Sequence, residues 1–316
     1  MNILVTGAAG FIGSHLAERL TDLDHKVVGL DCFINNYSKS LKQLNMTQVQ
    51  KKGIEFFELD ISQDNLSTAT ANIDFVFHLA AQPGIDESVS FDSYERNNII
   101  ATFRLLEASK DSKTLQGFVN ISTSSVYGSN AIGDESSVPK PISVYGVTKL
   151  AAEQLVLAES RNQNITACSL RLFSVYGPRE RPEKLYHKLI KCILNDEEFP
   201  LCEGSENHIR SYTYIDDIID GIVSVMDNIK VCNGDIFNIG TDEAITTSDG
   251  IKIIEEIIGN KARIKVESKR QGDQLKTHAN INKARKVLGY NPATKPKDGL
   301  RKEVDWFKSN LLGKNY

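Results

Sequence analysis

Short runs rich in β-branched and aromatic residues alternate with helix-periodic segments through the first half of the chain, and this alternation limits the fold more than anything else in the sequence. Residues 3–6, 26–30, 55–58, 75–79, 117–121 and 166–170 read as strands, with helical period over 14–20, 98–109 and 146–159. Strands that repeatedly alternate with helices imply βαβ units, because a parallel pair needs a long crossover and a helix supplies it. The expected fold is therefore α/β, a doubly wound parallel sheet of the Rossmann type over residues 1–170, followed by a smaller α/β domain over 171–316. Asp235 to Gly240 reads as a late strand that returns to the first sheet, so the boundary is not a clean cut.

At 316 residues and 41% hydrophobic, the chain has ample material for a core. A net charge of -4 and a pI near 5.9 provide no pull toward nucleic acid or an anionic membrane, so a small-molecule partner is expected. No apolar run is long enough to span a bilayer, and Met1 to Gly7 enters a strand without a basic leader, so a soluble cytoplasmic protein is expected. Cys32, Cys168, Cys192, Cys202 and Cys232 are odd in number and scattered; neither a disulfide framework nor a metal site is expected.

Gly7-x-x-Gly10-x-x-Gly13 follows the first strand and, with Phe11 and Ile12, opens the first helix. Glycines there permit a tight turn and let backbone N–H groups approach a pyrophosphate at the positive end of the helix. Asp31 ends the second strand, where a carboxylate accepts hydrogen bonds from a ribose 2′-hydroxyl and repels a 2′-phosphate, which favours NAD over NADP. Asp60 and Ile61 after the third strand, and Leu79, Ala80 and Ala81 after the fourth, fall at carboxyl ends of strands, where ligands of open α/β sheets bind.

Tyr145 and Lys149 are four residues apart on a helical segment and so share a face. A phenol is a weak base at neutral pH; a neighbouring ammonium and a cationic nicotinamide both favour its phenolate, which then accepts a proton from an alcohol as hydride departs. The spacing by itself is equally that of an ordinary surface helix.

Asn120-Ile121-Ser122-Thr123-Ser124-Ser125-Val126-Tyr127-Gly128, Ser143-Val144-Tyr145-Gly146-Val147-Thr148-Lys149 and the glycine triplet together resemble the extended short-chain dehydrogenases/reductases. Arg171 to Arg179, Arg210 to Asp217 and Phe237 to Gly240 are similar to its nucleotide-sugar branch. The resemblance implies Thr123, Tyr145 and Lys149 as catalytic groups, and Asn98, Tyr145 and Lys149 among the cofactor contacts. It also implies that Ser174, Arg210 and Arg270 face the phosphates and uridine of a UDP-sugar, and that the chain pairs into a homodimer through Leu105, Leu106, Leu150 and Leu155. Ser174 and Ser211 depart from the residues usual in the family.

The hydroxyl run Thr123-Ser124-Ser125 narrows the reaction. Members of this family begin by oxidising C4 of the sugar; dehydratases and decarboxylases then use a carboxylate where this chain has Ser124 or Ser125, and a serine cannot do that proton work. The remaining fate is return of the hydride to the opposite face, a 4-epimerisation. The segment 31–43, Gly177 to Pro182, Gly272-Asp273 and Thr277 to Ile281 resemble UDP-glucuronate 4-epimerases more than UDP-galactose 4-epimerases. A 4-keto uronate loses CO2 unless its carboxylate is held; Ser124, Ser125 and Arg181 supply charge-assisted hydrogen bonds of about 1.5–3 kcal/mol each. Thr277 leaves room that an N-acetyl group would use, which keeps a UDP-glucose or UDP-N-acetylglucosamine 4-epimerase open, alongside a non-catalytic NAD-binding sensor.

Overall fold

The computed structural model describes residues 1–84, 88–268 and 275–314. Its main sheet contains seven parallel strands: β1 (Asn2–Thr6), β2 (Lys26–Asp31), β3 (Glu55–Glu58), β4 (Phe75–His78), β5 (Gly117–Thr123), β6 (Ala167–Leu172) and β7 (Ile236–Ile239). Their order is β7-β6-β5-β4-β1-β2-β3, so the chain reverses its direction of travel between β1 and β4. That switch point opens a crevice at the carboxyl ends of the strands. β4, β5 and β6 are buried along their whole length, as parallel strands covered on both faces must be, whereas edge strand β3 exposes Glu55 and Glu58. The late strand joins in register, with Ile236 beside Ser169 and Ile239 beside Leu172.

Helices α1 (Phe11–Asp22), α2 (Lys39–Lys51), α3 (Ala101–Lys110) and α4 (Val144–Arg161) flank this sheet. α2 carries little apolar periodicity and is not evident in the sequence; it buries Leu41 and Val49 and sends the Asn45 amide 3.0 Å to the Ala9 carbonyl. α4 starts two residues earlier than its periodicity suggests, because the Ser143 hydroxyl caps it by accepting from the Gly146 N–H at 3.1 Å. The helix expected from residue 98 begins instead as a π turn, Glu95–Ile100, that runs into α3.

Beyond β6 the chain forms helices and short strands. Residues 130–131, 209–210, 245–246 and 276–277 make one small sheet, and Glu198–Cys202 pairs in parallel with Arg263–Glu267. Strands of two residues have no period to detect, which is why this half looks loose in the sequence.

Leu105 and Leu106 do not face a partner subunit: both lie in the core, and Leu150 and Leu155 are half-buried against it. The exposed apolar residues of the same segments are Ile100, Phe103, Val144 and Val147. The helical period turns Leu105 and Leu106 inward and leaves Phe103 outward. Phe237→Ala in β7 tests how firmly the returning strand belongs to the main sheet: its fully buried ring predicts a loss of about 3–5 kcal/mol in urea unfolding.

Candidate functional site

The glycine turn is built by close approach. Gly7 has φ +72, and a Cβ there would sit 2.9 Å from the Ala80 nitrogen; a Cβ on Gly13 would sit 2.1 Å from the Gly7 carbonyl oxygen. Gly10, the N-cap of α1, has no side chain with which to cap, so the first N–H groups of the helix stay available to an anion.

The opposite wall hangs on one hydroxyl. Thr6 Oγ1, at the end of β1, accepts from the Leu79 and Ala80 N–H groups at 3.2 and 3.1 Å and lies 2.8 Å from His78 Nδ1. Burial pushes the His78 imidazole down to about 3, so it is neutral. The Thr6 hydroxyl therefore donates to Nδ1, and the ring proton stands on Nε2, directed at Thr102 Oγ1 3.0 Å away, which donates to the Asn98 carbonyl at 2.6 Å. The Asn98 amide is occupied as well: its oxygen accepts from the Gln82 N–H at 2.8 Å, and its nitrogen donates to the Gln82 carbonyl and to Thr148 of α4. Asn98 thus braces the loop of Leu79, Ala80 and Ala81 against α4 and does not present its amide to the cleft. Nothing in its sequence surroundings signals this, because its partners lie 16 and 50 residues away.

Asp31 ends β2 deep in the crevice. It accepts from the N–H groups of Ala9 at 3.2 Å and Phe33 at 2.9 Å, which leaves acceptor capacity for a diol. Burial pushes its carboxyl up, while Lys42 and these N–H groups draw it back. Asp60 lies beyond Asp31, with the Leu59 N–H donating to the Asp31 carbonyl; its own carboxylate is taken by the Ser62 N–H, the Ser62 hydroxyl and Arg96. Asp60 shapes that wall and offers few free acceptors, and Ile61 beside it is buried.

Thr123 ends β5, and its hydroxyl accepts from the Ser125 N–H at 3.1 Å, so its proton is free to point at Tyr145, with which it is hydrogen-bonded. Tyr145 keeps partial solvent access, yet its phenol is desolvated enough to be pushed up. Thr123 and then Arg181 pull it back down. Lys149 is almost fully buried, and this lowers its ammonium to about 8. Ser124 and Ser125 open the 3-10 turn directly after Thr123, so the hydroxyl run continues from the end of β5 without a break.

Arg181 is half-buried: its side chain is 18% exposed, its guanidinium pairs with Glu183 at 2.9 Å and lies 3.9 Å from a Cβ placed on Gly84, and its charge acts on Tyr145. The turn that delivers it is pinned by Arg179, whose guanidinium reaches Glu18 of α1 at 2.9 Å; this link across 161 residues is invisible in the sequence. Ser174 opens the short strand beside Tyr212, and Arg210 lies in the small sheet next to the 276–277 strand. Thr277 is 1% exposed and its hydroxyl accepts from the Ser211 N–H at 3.3 Å, so it staples two strands. Arg270 and the Gly272-Asp273 pair lie outside the described residues.

Fold and cleft together define a dinucleotide-binding α/β protein whose crevice brings a tyrosine, a buried lysine and a threonine to the switch point. A model of the NAD dependent epimerase/dehydratase family matches residues 3–240, and the chain belongs to that family. An uncharacterised UDP-glucose epimerase of Bacillus subtilis is 40% identical, over 99% of this chain and 100% of that protein. UDP-glucuronate 4-epimerase 4 of Arabidopsis thaliana is 34% identical, over 99% of this chain and 76% of its own. The solved structure of UDP-glucuronic acid 4-epimerase from Bacillus cereus, in complex with UDP-glucuronic acid and NAD, is 41% identical and superposes with a TM-score of 0.93 over 98% of this chain and 99% of that one.

The residues fit a dinucleotide: a cradle that a Cβ would fill, an uncapped helix start and a carboxylate with spare acceptors. Gly13→Ala forces the turn open and is expected to weaken NAD binding at least about tenfold by calorimetry, or about 1.4 kcal/mol.

Proposed function

We propose that this protein is an NAD-dependent UDP-glucuronate 4-epimerase that interconverts UDP-glucuronate and UDP-galacturonate. The observation that carries the reading is the conjunction of Tyr145 and Thr123 with two serines in place of any carboxylate, with the Arg181 charge acting on Tyr145. The relatives named for this activity support it. On this reading residues 1–170, with the returning β7, hold the cofactor, and 171–316 hold the nucleotide sugar.

NAD, when bound, takes a hydride from C4 and later returns it. The protein's own groups do the rest. Gly7, Gly10, Phe11, Ile12 and Gly13 offer backbone to the pyrophosphate, and Asp31 holds the adenosine ribose. Ile61, Leu79, Ala80 and Ala81 wall the cleft, and Lys149 holds the nicotinamide ribose. Tyr145 removes the proton from the C4 hydroxyl, with the Thr123 hydroxyl and the Arg181 charge stabilising the phenolate. Ser174 and Arg210 hold the nucleotide. The keto sugar then turns over, so that hydride would return to the opposite face of C4, and Tyr145 gives its proton back to the C4 oxygen. Arg181, with Ser124 and Ser125, holds the carboxylate out of line with the C4 carbonyl, so CO2 is retained.

The name of the Bacillus subtilis relative favours a second reading, UDP-glucose 4-epimerisation. No helix among the described residues is long and apolar enough to cross a membrane, and the five cysteines are free thiols, which suits a cytoplasmic site of action.

Incubation with UDP-glucuronate, followed by proton NMR, is expected to give UDP-galacturonate without CO2; release of UDP-xylose, or turnover of UDP-glucose alone, sinks the assignment. Tyr145→Phe is expected to lower kcat about 10²–10⁴-fold. The exposed Ile100, Phe103, Val144 and Val147 support a homodimer formed through this face. Phe103→Asp combined with Val147→Asp is then expected to sediment as a monomer, and a wild type that is itself monomeric refutes the interface.

A further inference from the structure

The segment Gly177-Pro178-Arg179-Glu180 turns the chain against the preference of its third residue. The Glu180 N–H donates to the Gly177 carbonyl at 3.0 Å, which closes a four-residue turn, and Arg179 stands third in it with φ +70. Proline fixes the second position at φ about −65°, so the turn is of type II, whose third residue needs positive φ and is normally Gly or Asn. An arginine there is strained, because its Cβ crowds the backbone in the left-handed region. Such strain persists only where the surroundings hold it in place.

What holds it is Glu18 of α1, 161 residues earlier in the chain. Arg179 Nη2 donates to Glu18 Oε2 at 3.1 Å, and Nη1 lies 2.9 Å from Oε1, so both carboxylate oxygens face the fork. The two side chains are only 14% and 18% exposed, so solvent screens the pair less than one on the surface. α1 is a firm anchor, since Leu16, Ala17 and Leu20 on its inner face are fully buried.

Two residues past Arg179 comes Arg181, with its guanidinium 3.9 Å from a Cβ placed on Gly84. The Gly84 carbonyl accepts from the Tyr94 hydroxyl at 2.8 Å, and the Tyr94 ring centroid is 6.4 Å from that of Tyr145. The direction in which the turn releases the chain therefore decides whether Arg181 reaches Gly84 and this aromatic wall. That direction changes with the sign of φ at residue 179. We propose that Glu18 and Arg179 are positioning residues for Arg181: their ion pair holds residue 179 in the left-handed conformation that brings Arg181 to Gly84.

The proposal rests on the role given to Arg181 above, but its first test needs no sugar. A crystal structure of NAD-loaded Glu18→Ala is expected to show residue 179 at negative φ and the Arg181 guanidinium moved off Gly84. Glycine adopts positive φ without help, so Glu18→Ala/Arg179→Gly is expected to restore both the turn and the place of Arg181. Calorimetry on the NAD-loaded protein reads the same effect in solution. Glu18→Ala is expected to weaken UDP-glucuronate binding about tenfold with the affinities for UDP and NAD unchanged, and Arg179→Ala, which leaves α1 untouched, does the same from the other side. Arg179→Gly, alone or with Glu18→Ala, stays within about threefold of the wild type.

A pair that only stabilises the fold, or acts through its charge, gives no such rescue, because glycine restores neither the ion pair nor any side-chain contact. Residue 179 still at positive φ in Glu18→Ala, or a double variant that binds UDP-glucuronate as weakly as Glu18→Ala, overturns the proposal. If φ changes as stated while the wild type binds UDP-glucuronate no more tightly than UDP-glucose, the positioning stands and the uronate assignment alone falls.

Discussion

The cleft depends on the Thr6 hydroxyl. It sits where the sheet changes direction, and it gathers two backbone N–H groups of the loop after β4 while donating to His78. Because the imidazole is neutral and fully buried, the proton order runs one way from Thr6 through His78 and Thr102 to the Asn98 carbonyl. Asn98 then carries the same tether to Gln82 and to Thr148, the neighbour of Lys149. The glycine turn, the Leu79–Ala81 wall and the catalytic helix are thereby held to one another by directed hydrogen bonds. Loss of any one buried partner leaves its neighbours unsatisfied, which is costlier than the bond is favourable.

Charge in the cleft is managed by burial more than by contact. Desolvation pushes the Tyr145 phenol up and draws the Lys149 ammonium down to about 8, so burial works against the charged form of each. The Thr123 proton and the Arg181 guanidinium act in the opposite sense on the phenol, and the Glu153 carboxylate does so on the ammonium. The pinning of the Arg181 turn by the Arg179–Glu18 pair ties that turn to α1.

Much of the architecture was legible in advance because parallel strands buried on both faces leave long apolar runs, and the six early strands all fall in the sheet where the period put them. α2 escaped notice because its surface is mostly polar and its anchoring comes from Asn45 rather than from an apolar stripe. The small sheet was illegible for a different reason: each strand is two residues long and its neighbours are drawn from four distant places. Among the site residues, the Asn98 amide bonds Gln82 and Thr148, and the Thr277 hydroxyl accepts from Ser211, partners that the linear order does not indicate. Which side chains are already satisfied is a property of three-dimensional neighbours.

Local chemistry written in the chain itself determined the glycine turn, the acid at the end of β2, the four-residue spacing of Tyr145 and Lys149, and the absence of a carboxylate from the hydroxyl run. These are short-range properties, set by backbone sterics and by residue type. Tertiary structure alone decided that the Arg181 charge acts on Tyr145, that Leu105 and Leu106 point inward while Phe103 points outward, and that Arg179 meets Glu18 of α1. The reason is physical: pKa shifts, ion pairs and burial depend on distances between side chains that the linear order leaves open until the sheet brings β1, β4, β5 and β6 together.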